Sequence, residues 1–425
     1  MRLILTALGS YGDVHPMVGL GAVMRRRGHQ VFIIANPHFR SVVESAQLQL
    51  LPIGTQQEYD ELAHHRDLWH PFRGPKMVLQ MCMVKLLRDL YELIKTHYVA
   101  GETALGAHPL DIASRIFQEQ FDAPLASIHY SPIGLRSMRE SPQMFGMWLG
   151  QSAPGWVKRM QFWLGDRCLI DRWLRPEVND FRRELGLPPI QRVLYRWCFS
   201  PRRVIGLFPE WFAAPQPDWP AKTALAGFPL WDQAADGPSV PVGLSDEVLQ
   251  FLDEGDAPIV FSPGSAMTEG HAFFAAAVEA CQRLGRRGIL LTGYHEHLPK
   301  ELPPEVRYFG FVPFSSLLPR AAAFVHHGGV GSSSQGLASG RPQLVMPMAY
   351  DQLDNAVRLH RLGVGTYLRR RQFRGPAVAS QLEKLLASKQ TSQQCDQWAQ
   401  RCDGQASLTT ACKLLEELGR DTGKI

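Results

Sequence analysis

Residues 324–355 read Phe324-Val-His-His327-Gly-Gly-Val-Gly331-Ser-Ser-Ser-Gln335, then pass Gly340-Arg341-Pro342 and continue as Pro347-Met-Ala-Tyr-Asp351-Gln352 to Asn355. The apolar run Ala321–Val325, ending in turn residues, has the length and composition of a buried parallel strand. Gly328, Gly329 and Gly331 let the chain turn sharply and let a ligand come close to the backbone. Ser332–Ser334 stand where a helix begins, with unpaired N–H groups and a positive dipole end facing the glycine turn. A diphosphate is the natural occupant of such a place. His327 adds a hydrogen-bond donor for a phosphate oxygen. Beyond the next strand, Gln343–Met346, the pair Asp351 and Gln352 supplies acceptors and donors for sugar hydroxyls. A grip for phosphate followed by a grip for sugar, in adjacent loops of one sheet, is the pattern.

Outward from this stretch the chain alternates strand and helix. In the first half, strands are predicted at Leu3–Leu8, Gln30–Ala35, Leu48–Ile53, Thr103–Ala107 and Pro124–His129. Helices are predicted at Pro16–Arg27, His38–Ala46 and Asp111–Phe121, with Pro16 placed at a first helical position. This order implies a doubly wound parallel sheet. A second set follows: strands at Pro258–Ser262, Gly288–Leu291 and Val306–Phe309, a helix at His271–Leu284, and then the motif. Helices at Ala377–Ser388, Gln393–Cys402 and Leu408–Leu418 finish the chain. Ala213–Pro220 and Gly227–Gly243 are rich in Pro, Gly and Asp and read as a connection. The expected division is 1–220, an acceptor-binding domain; 221–243, a linker; and 244–425, a nucleotide-sugar domain. The early glycines, Gly9-Ser-Tyr-Gly12, lack the dinucleotide spacing, and no acidic residue follows the second strand, which disfavours a nicotinamide oxidoreductase.

Two stretches, Met77–Tyr91 and Met144–Trp173, are dense in Met, Leu, Trp and Phe at helical spacing. They read either as core or as an adaptable apolar groove for an acceptor, with Met77, Met81, Met83, Met144, Met147 and Met160 as flexible wall.

The 425 residues are 45% hydrophobic and 20% charged, which is the composition of folded domains. No run of about eighteen apolar residues suggests a membrane span. The apolar start, without a cleavage site, and seven scattered cysteines fit a reducing cytoplasm better than a disulfide framework. His64-His65 and His295-Glu-His297 lack companion metal ligands. Net charge is +5. Arg25–Arg27 and Arg369–Arg371 have no interleaved aromatics, so no nucleic-acid surface is expected. They read as solvated charges or as a weak peripheral contact with anionic lipid at the inner membrane face.

The motif, together with Gly9-Ser10-Tyr11-Gly12-Asp13-Val14-His15-Pro16, Ser131–Ser137 and Asp351–Leu359, resembles family 1 nucleotide-sugar glycosyltransferases over nearly the whole chain. Within that family the look is nearest to bacterial members acting on lipids, sterols and antibiotics, the rhamnolipid-type rhamnosyltransferases above all. The resemblance implies a GT-B fold: two facing Rossmann-like domains with a cleft between them, the last helix packing back on the first domain. It implies Asp13 as the catalytic base, with capping of a helix near Pro16 as the alternative role. His15, His108 and Asp111 are acceptor-side candidates, a cap being equally open for Asp111. Ser265, His327, Gly329, Gly331 and Ser332 correspond to donor-phosphate contacts. Phe311 and Val312 correspond to the base-recognition turn, Gln335 to the ribose site, and Asp351 and Gln352 to the sugar site. A core Phe is the other reading of Phe311.

The implied reaction is inverting, metal-independent transfer of a hexose or deoxyhexose, rhamnose or glucose, from a dTDP- or UDP-sugar to a hydroxyl of a hydrophobic, lipid-like acceptor. No cofactor is expected: helix dipole, His327 and backbone amides serve the leaving diphosphate, and no acidic pair stands near the socket. Gln335, where a charged residue is frequent, is compatible with a dTDP donor. Sterol, polyketide or glycopeptide aglycones are an alternative, and a catalytically silent nucleotide-sugar-binding subunit is a second.

Overall fold

The computed structural model of the protein describes residues 1–145, 153–232, 244–265, 267 and 270–420. Met147 and residues 233–243 of the expected linker lie outside the described residues. The chain forms two compact units, Met1–Pro229 with Gly404–Ile425, and Leu230–Asp403.

The first unit is built on seven strands: β1 (Arg2–Thr6), β2 (Gln30–Ala35), β3 (Gln49–Pro52), β4 (Thr103–Ala107), β5 (Leu125–His129), β6 (Arg203–Gly206) and β7 (Thr223–Leu225). Their order is β3-β2-β1-β4-β5-β6-β7, and every pair is parallel. Ile4 of β1 stands between Phe32 of β2 and Leu105 of β4. Such strands are covered on both faces, which is why their sequences are continuous apolar runs rather than alternating ones. Leu3, Ile4, Leu5, Ile33, Ile34, Leu105 and Ile128 are accordingly buried. The chain winds from β1 outward to β3, then returns to the other side of β1 at β4. The crevice beyond the carboxyl ends of β1 and β4 is thus a topological switch point, where open α/β sheets bind ligands.

Helix Gly404–Arg420 belongs to this first unit. It is tied down by the Arg27–Glu416 ion pair (2.7 Å), by His29 Nε2 at 2.9 Å from the same carboxylate, and by burial of Leu408, Cys412 and Leu415.

The second unit repeats the scheme with β8 (Ile259–Ser262), β9 (Gly288–Leu291), β10 (Val306–Phe309), β11 (Ala323–His326), β12 (Gln343–Val345) and β13 (Gly365–Tyr367). The order is β10-β9-β8-β11-β12-β13, again all parallel. Here the switch point lies between β8 and β11. The residues that follow those two strands are Gly264-Ser265 and His327–Gly331.

Three differences from the sequence reading have simple causes. The first long helix runs Tyr11–Arg26, with Ser10 as its N-cap, so Pro16 lies inside it rather than at its start. Because the Pro16 nitrogen carries no hydrogen, the Gly12 carbonyl loses its helical donor. Strand β7 occupies part of the stretch expected to be linker, since three residues are too few to show a period. The first Met-rich stretch, and the second from Gly155 onward, fold as helices interrupted by wider turns at Gln80–Lys85 and Asp166–Ile170; Met83 is core, whereas Met160 is exposed.

Candidate functional site

In the first unit the chemistry gathers at the β1–β4 switch point. Gly9 has φ +135°, and a Cβ there would lie 2.3 Å from Asp13 Oδ2, so only glycine lets the carboxylate fold back over the loop. Asp13 Oδ2 accepts from the Ser10 N–H (2.7 Å) and the Ser10 hydroxyl (3.1 Å). Asp13 therefore does a capping job, but on the first turn of the helix that contains it. The cap of a helix starting at Pro16, weighed from sequence, is not formed. The other oxygen, Oδ1, lies 3.2 Å from His108 Nε2. The Asp13 side chain keeps 30% exposure while that of His108 is 3% exposed. Only one of the two has room to meet an acceptor.

The tautomer of His108 follows from its other nitrogen. His108 Nδ1 accepts the Leu110 N–H at 3.1 Å, so it carries no proton and the ring proton sits on Nε2, donated to Asp13. Behind it, Thr6 Oγ1 accepts the His108 N–H (2.9 Å) and donates to Asp111 Oδ2 (2.9 Å). Asp111 also accepts from the N–H and hydroxyl of Ser114 (2.9 and 2.6 Å). Buried in this way, its carboxyl is pushed up from the usual range by desolvation. Asp111 takes up first-turn groups of helix Ala113–Phe121, whose N-cap is Ile112. The Tyr130 hydroxyl donates to the Asp13 carbonyl at 3.0 Å. His15, on the same helix, is half-buried, and desolvation lowers its pKa to about 4. Ser10, Thr6 and Tyr130 were not among the residues singled out from sequence. Ser10 three residues before an acidic residue was a legible capping signal; the other two join only through β1–β4–β5 adjacency.

In the second unit the glycine turn after β11 is built from inside. His326 is fully buried; its Nδ1 accepts the Gly328 N–H at 3.0 Å and its Nε2 donates to Gln343 Oε1 at 2.9 Å. Gly328 has φ +95°, and a Cβ there would meet Val345 Cγ1 at 2.7 Å and the Gln352 carbonyl at 2.9 Å. Its own carbonyl accepts from Asn355 Nδ2 at 2.9 Å, and the same amide reaches Asp351 Oδ2 at 2.8 Å. Asn355 stands one helical turn beyond Asp351, an i,i+4 spacing that ties the turn to the following loop.

The His327 ring packs against both neighbouring loops. A Cβ on Gly264 would lie 2.9 Å from its Cε1, and one on Gly329 would lie 2.5 Å from its Nε2. Burial lowers His327 to about 4, so the ring is neutral near pH 7. Helix Val330–Ala338 starts at Gly329, and a Cβ at Gly331 would point into open space. Ser332 is half-buried at this helix start and Ser265 is exposed after β8. Ala266 lies outside the described residues. Phe311 is 57% exposed while Val312 is buried, which removes the core-Phe reading. Gln335 is buried in the helix. Gln352 is buried too, its carbonyl committed to the Met348 and Ala349 N–H groups at 2.8 and 3.2 Å. Asp351 keeps partial exposure. Phosphate, base and sugar candidates therefore line the carboxyl ends of β8, β10, β11 and β12 on one sheet. Among the described residues no three His, Cys, Asp or Glu side chains cluster as metal ligands would.

Residues 3–137 match the glycosyltransferase family 28 N-terminal domain, and residues 288–418 match the erythromycin biosynthesis protein CIII-like C-terminal domain. O-mycaminosyltylonolide 6-deoxyallosyltransferase of Streptomyces fradiae is 28% identical over 98% of this chain and 97% of its own length. Glycosyltransferase GtfC of Amycolatopsis orientalis is 27% identical over 87% of this chain and 86% of its own length. Among solved structures, the kitacinnamycin glycosyltransferase superposes with a TM-score of 0.73 at 19% identity, covering 98% of both chains. The spinosyn rhamnosyltransferase SpnG complexed with thymidine diphosphate gives 0.67 at 17% identity, covering 97% of this chain and all of that one. Two parallel-sheet units with this strand order, a phosphate-type glycine turn in the second, and both domain matches in the expected places lead to one assignment: the chain belongs to the family 1, GT-B nucleotide-sugar glycosyltransferases.

Proposed function

We propose that the enzyme transfers a hexose or deoxyhexose, rhamnose or glucose, from a dTDP- or UDP-sugar to a hydroxyl of a hydrophobic acceptor, with inversion and without a metal ion. The observation that carries this reading is the Asp13 carboxylate, partly exposed and held on both oxygens, at the switch point of the first unit. A fixed carboxylate that takes the acceptor's proton as the hydroxyl attacks the anomeric carbon gives a single in-line displacement, and hence inversion. The leaving diphosphate needs no acid. Its growing charge meets the N-terminus of helix Val330–Ala338, the His327 ring and Ser265. Phe311 offers an exposed face for the pyrimidine; the ribose is assigned to Gln335, and the sugar hydroxyls to Asp351 with the Gln352 amide.

A lipid-like acceptor is our first choice because the Met-rich helices of the first unit suit a flexible apolar ligand. A polyketide aglycone is the second, supported by the O-mycaminosyltylonolide 6-deoxyallosyltransferase among the relatives and by the spinosyn enzyme among the neighbours. The test is purified enzyme with dTDP- and UDP-rhamnose and -glucose, against a 3-hydroxy-fatty-acid dimer and a macrolide aglycone, with products read by mass spectrometry and anomeric configuration by NMR. Acceptor-dependent product of inverted configuration supports the reading. Retention, or nucleotide release indifferent to every acceptor, contradicts it.

A further inference from the structure

Helix Gly155–Gly165 turns most of its large apolar side chains outward and buries Phe162. Its exposed side chains fall at Trp156, Arg159, Met160, Trp163 and Leu164, spaced i, i+3, i+4, i+7 and i+8, a single stripe. Trp156 is 70% exposed, Met160 50%, Trp163 49% and Leu164 45%; Leu169, just beyond, is 48% exposed. The inward face holds Phe162, under the Arg136 guanidinium, together with buried polar groups. Lys158 is buried with Nζ 3.4 Å from the Met138 carbonyl, and Asp166 is buried against Arg136 at 2.9 and 2.5 Å. A continuous aromatic and aliphatic stripe left facing outward marks an interaction surface.

The charges around the stripe choose the partner. From Ala153 to Pro176 the exposed charged side chains are Arg159, Arg167, Arg172 and Arg175. The two carboxylates in that span, Asp166 and Asp171, are both buried; Asp171 accepts the N–H groups of Arg192 and Val193 at 2.9 and 3.1 Å. The Arg167 guanidinium lies 5.7 Å from the Trp163 ring centroid, cation beside aromatic. Tryptophan, methionine and leucine flanked by arginine, with the first exposed carboxylate only at Glu177, is the chemistry of a helix that lies in the headgroup layer of an anionic bilayer.

We infer that helix Gly155–Gly165 docks the enzyme peripherally on anionic lipid, its Trp156–Trp163 stripe entering the interface and its arginines meeting the headgroups. The docking is independent of which acceptor the enzyme uses.

The test is co-sedimentation of the full chain with phosphatidylcholine vesicles, and with vesicles containing about one third phosphatidylglycerol. Wild type should pellet with the anionic vesicles only, and less so in high salt. The double variant Trp156→Ser/Trp163→Ser should lose roughly tenfold in partitioning, as should Arg159→Glu/Arg167→Glu. All four side chains are exposed, and matching thermal unfolding curves confirm intact folds. Absence of binding to anionic vesicles, or equal binding by all variants, overturns the inference. So does self-association that the Trp variant abolishes without any vesicle binding, which assigns the stripe to a second copy. A raised KM for a water-soluble acceptor without vesicle binding assigns it to the acceptor instead.

Discussion

His108 Nε2 stands 3.2 Å from Asp13 Oδ1, and because His108 Nδ1 is occupied by the Leu110 N–H, the histidine is the donor of that bond. His108 therefore cannot take a proton from Asp13 without giving up its backbone contact. It orients the carboxylate and steadies its charge. Its removal should lower kcat by about ten- to a hundredfold, the worth of a charge-assisted hydrogen bond. His108→Gln, which keeps an N–H donor, should recover part of that loss, and donor KM should stay near wild type for both. A His108→Ala enzyme with wild-type kcat would show that the contact is structural only.

His327 is held between Gly264 and Gly329 and is neutral near pH 7. His327→Ala should cost on the order of ten- to a hundredfold in transfer and weaken dTDP binding in calorimetry. Since burial has already moved its titration to about 4, the donor affinity it supplies should be flat between pH 6 and 8. A step in dTDP affinity centred near the ordinary histidine pKa of about 6.5 would contradict this.

Phe311 contributes through an exposed face, so it should matter to ligand and not to fold. Phe311→Ala should weaken dTDP and UDP by about 1–3 kcal/mol, the usual worth of stacking on a base, with an unchanged unfolding curve. Unaltered nucleotide affinity in this variant would remove the stacking role.

Acid should destabilise the protein sooner than carboxylate chemistry alone requires. Burial lowers His129 and His326 to about 3, and His15 and His327 to about 4. Below about 6.5 the unfolded chain binds protons at these positions while the folded chain does not, so stability falls as pH drops from there toward 4. Glu416 works in the opposite pH region: hydrogen bonds from Arg27, with help from His29, hold it at about 2, so its contribution persists throughout that window. Urea midpoints measured from pH 7.5 to 5 should decline, and His129→Leu should shallow the decline. His129 Nδ1 has no hydrogen-bond partner among the described residues, so that replacement leaves no bond broken at that atom. Midpoints independent of pH over that range would refute the histidine account.

Sequence was most informative where burial on both sides makes a strand a plain apolar run. Gln30–Ala35, Thr103–Ala107 and Gly288–Leu291 are strands over the residues expected, as is the edge strand Val306–Phe309 although its Arg307 is exposed. It was least informative at β6, β7 and β13, which are three or four residues long and lean on a neighbour rather than on their own pattern. The start of the first helix was misjudged because Pro16 looks like an opening residue; the Ser10–Asp13 contact, which sets the true start, competes with it and wins. At the sites, glycines and the His-Gly turn were readable as local chemistry. His326 supporting Gly328, and Thr6 linking His108 to Asp111, depend on strands brought together from distant sequence.

The most direct measurement is single-turnover transfer by Asp13→Asn with donor and acceptor both saturating, beside dTDP affinity measured on the same preparation. The account predicts a fall in the transfer rate of about 10²- to 10⁴-fold, the range for loss of a general base, with dTDP affinity unchanged. Transfer at the wild-type rate, or a loss explained wholly by weaker nucleotide binding, would contradict it.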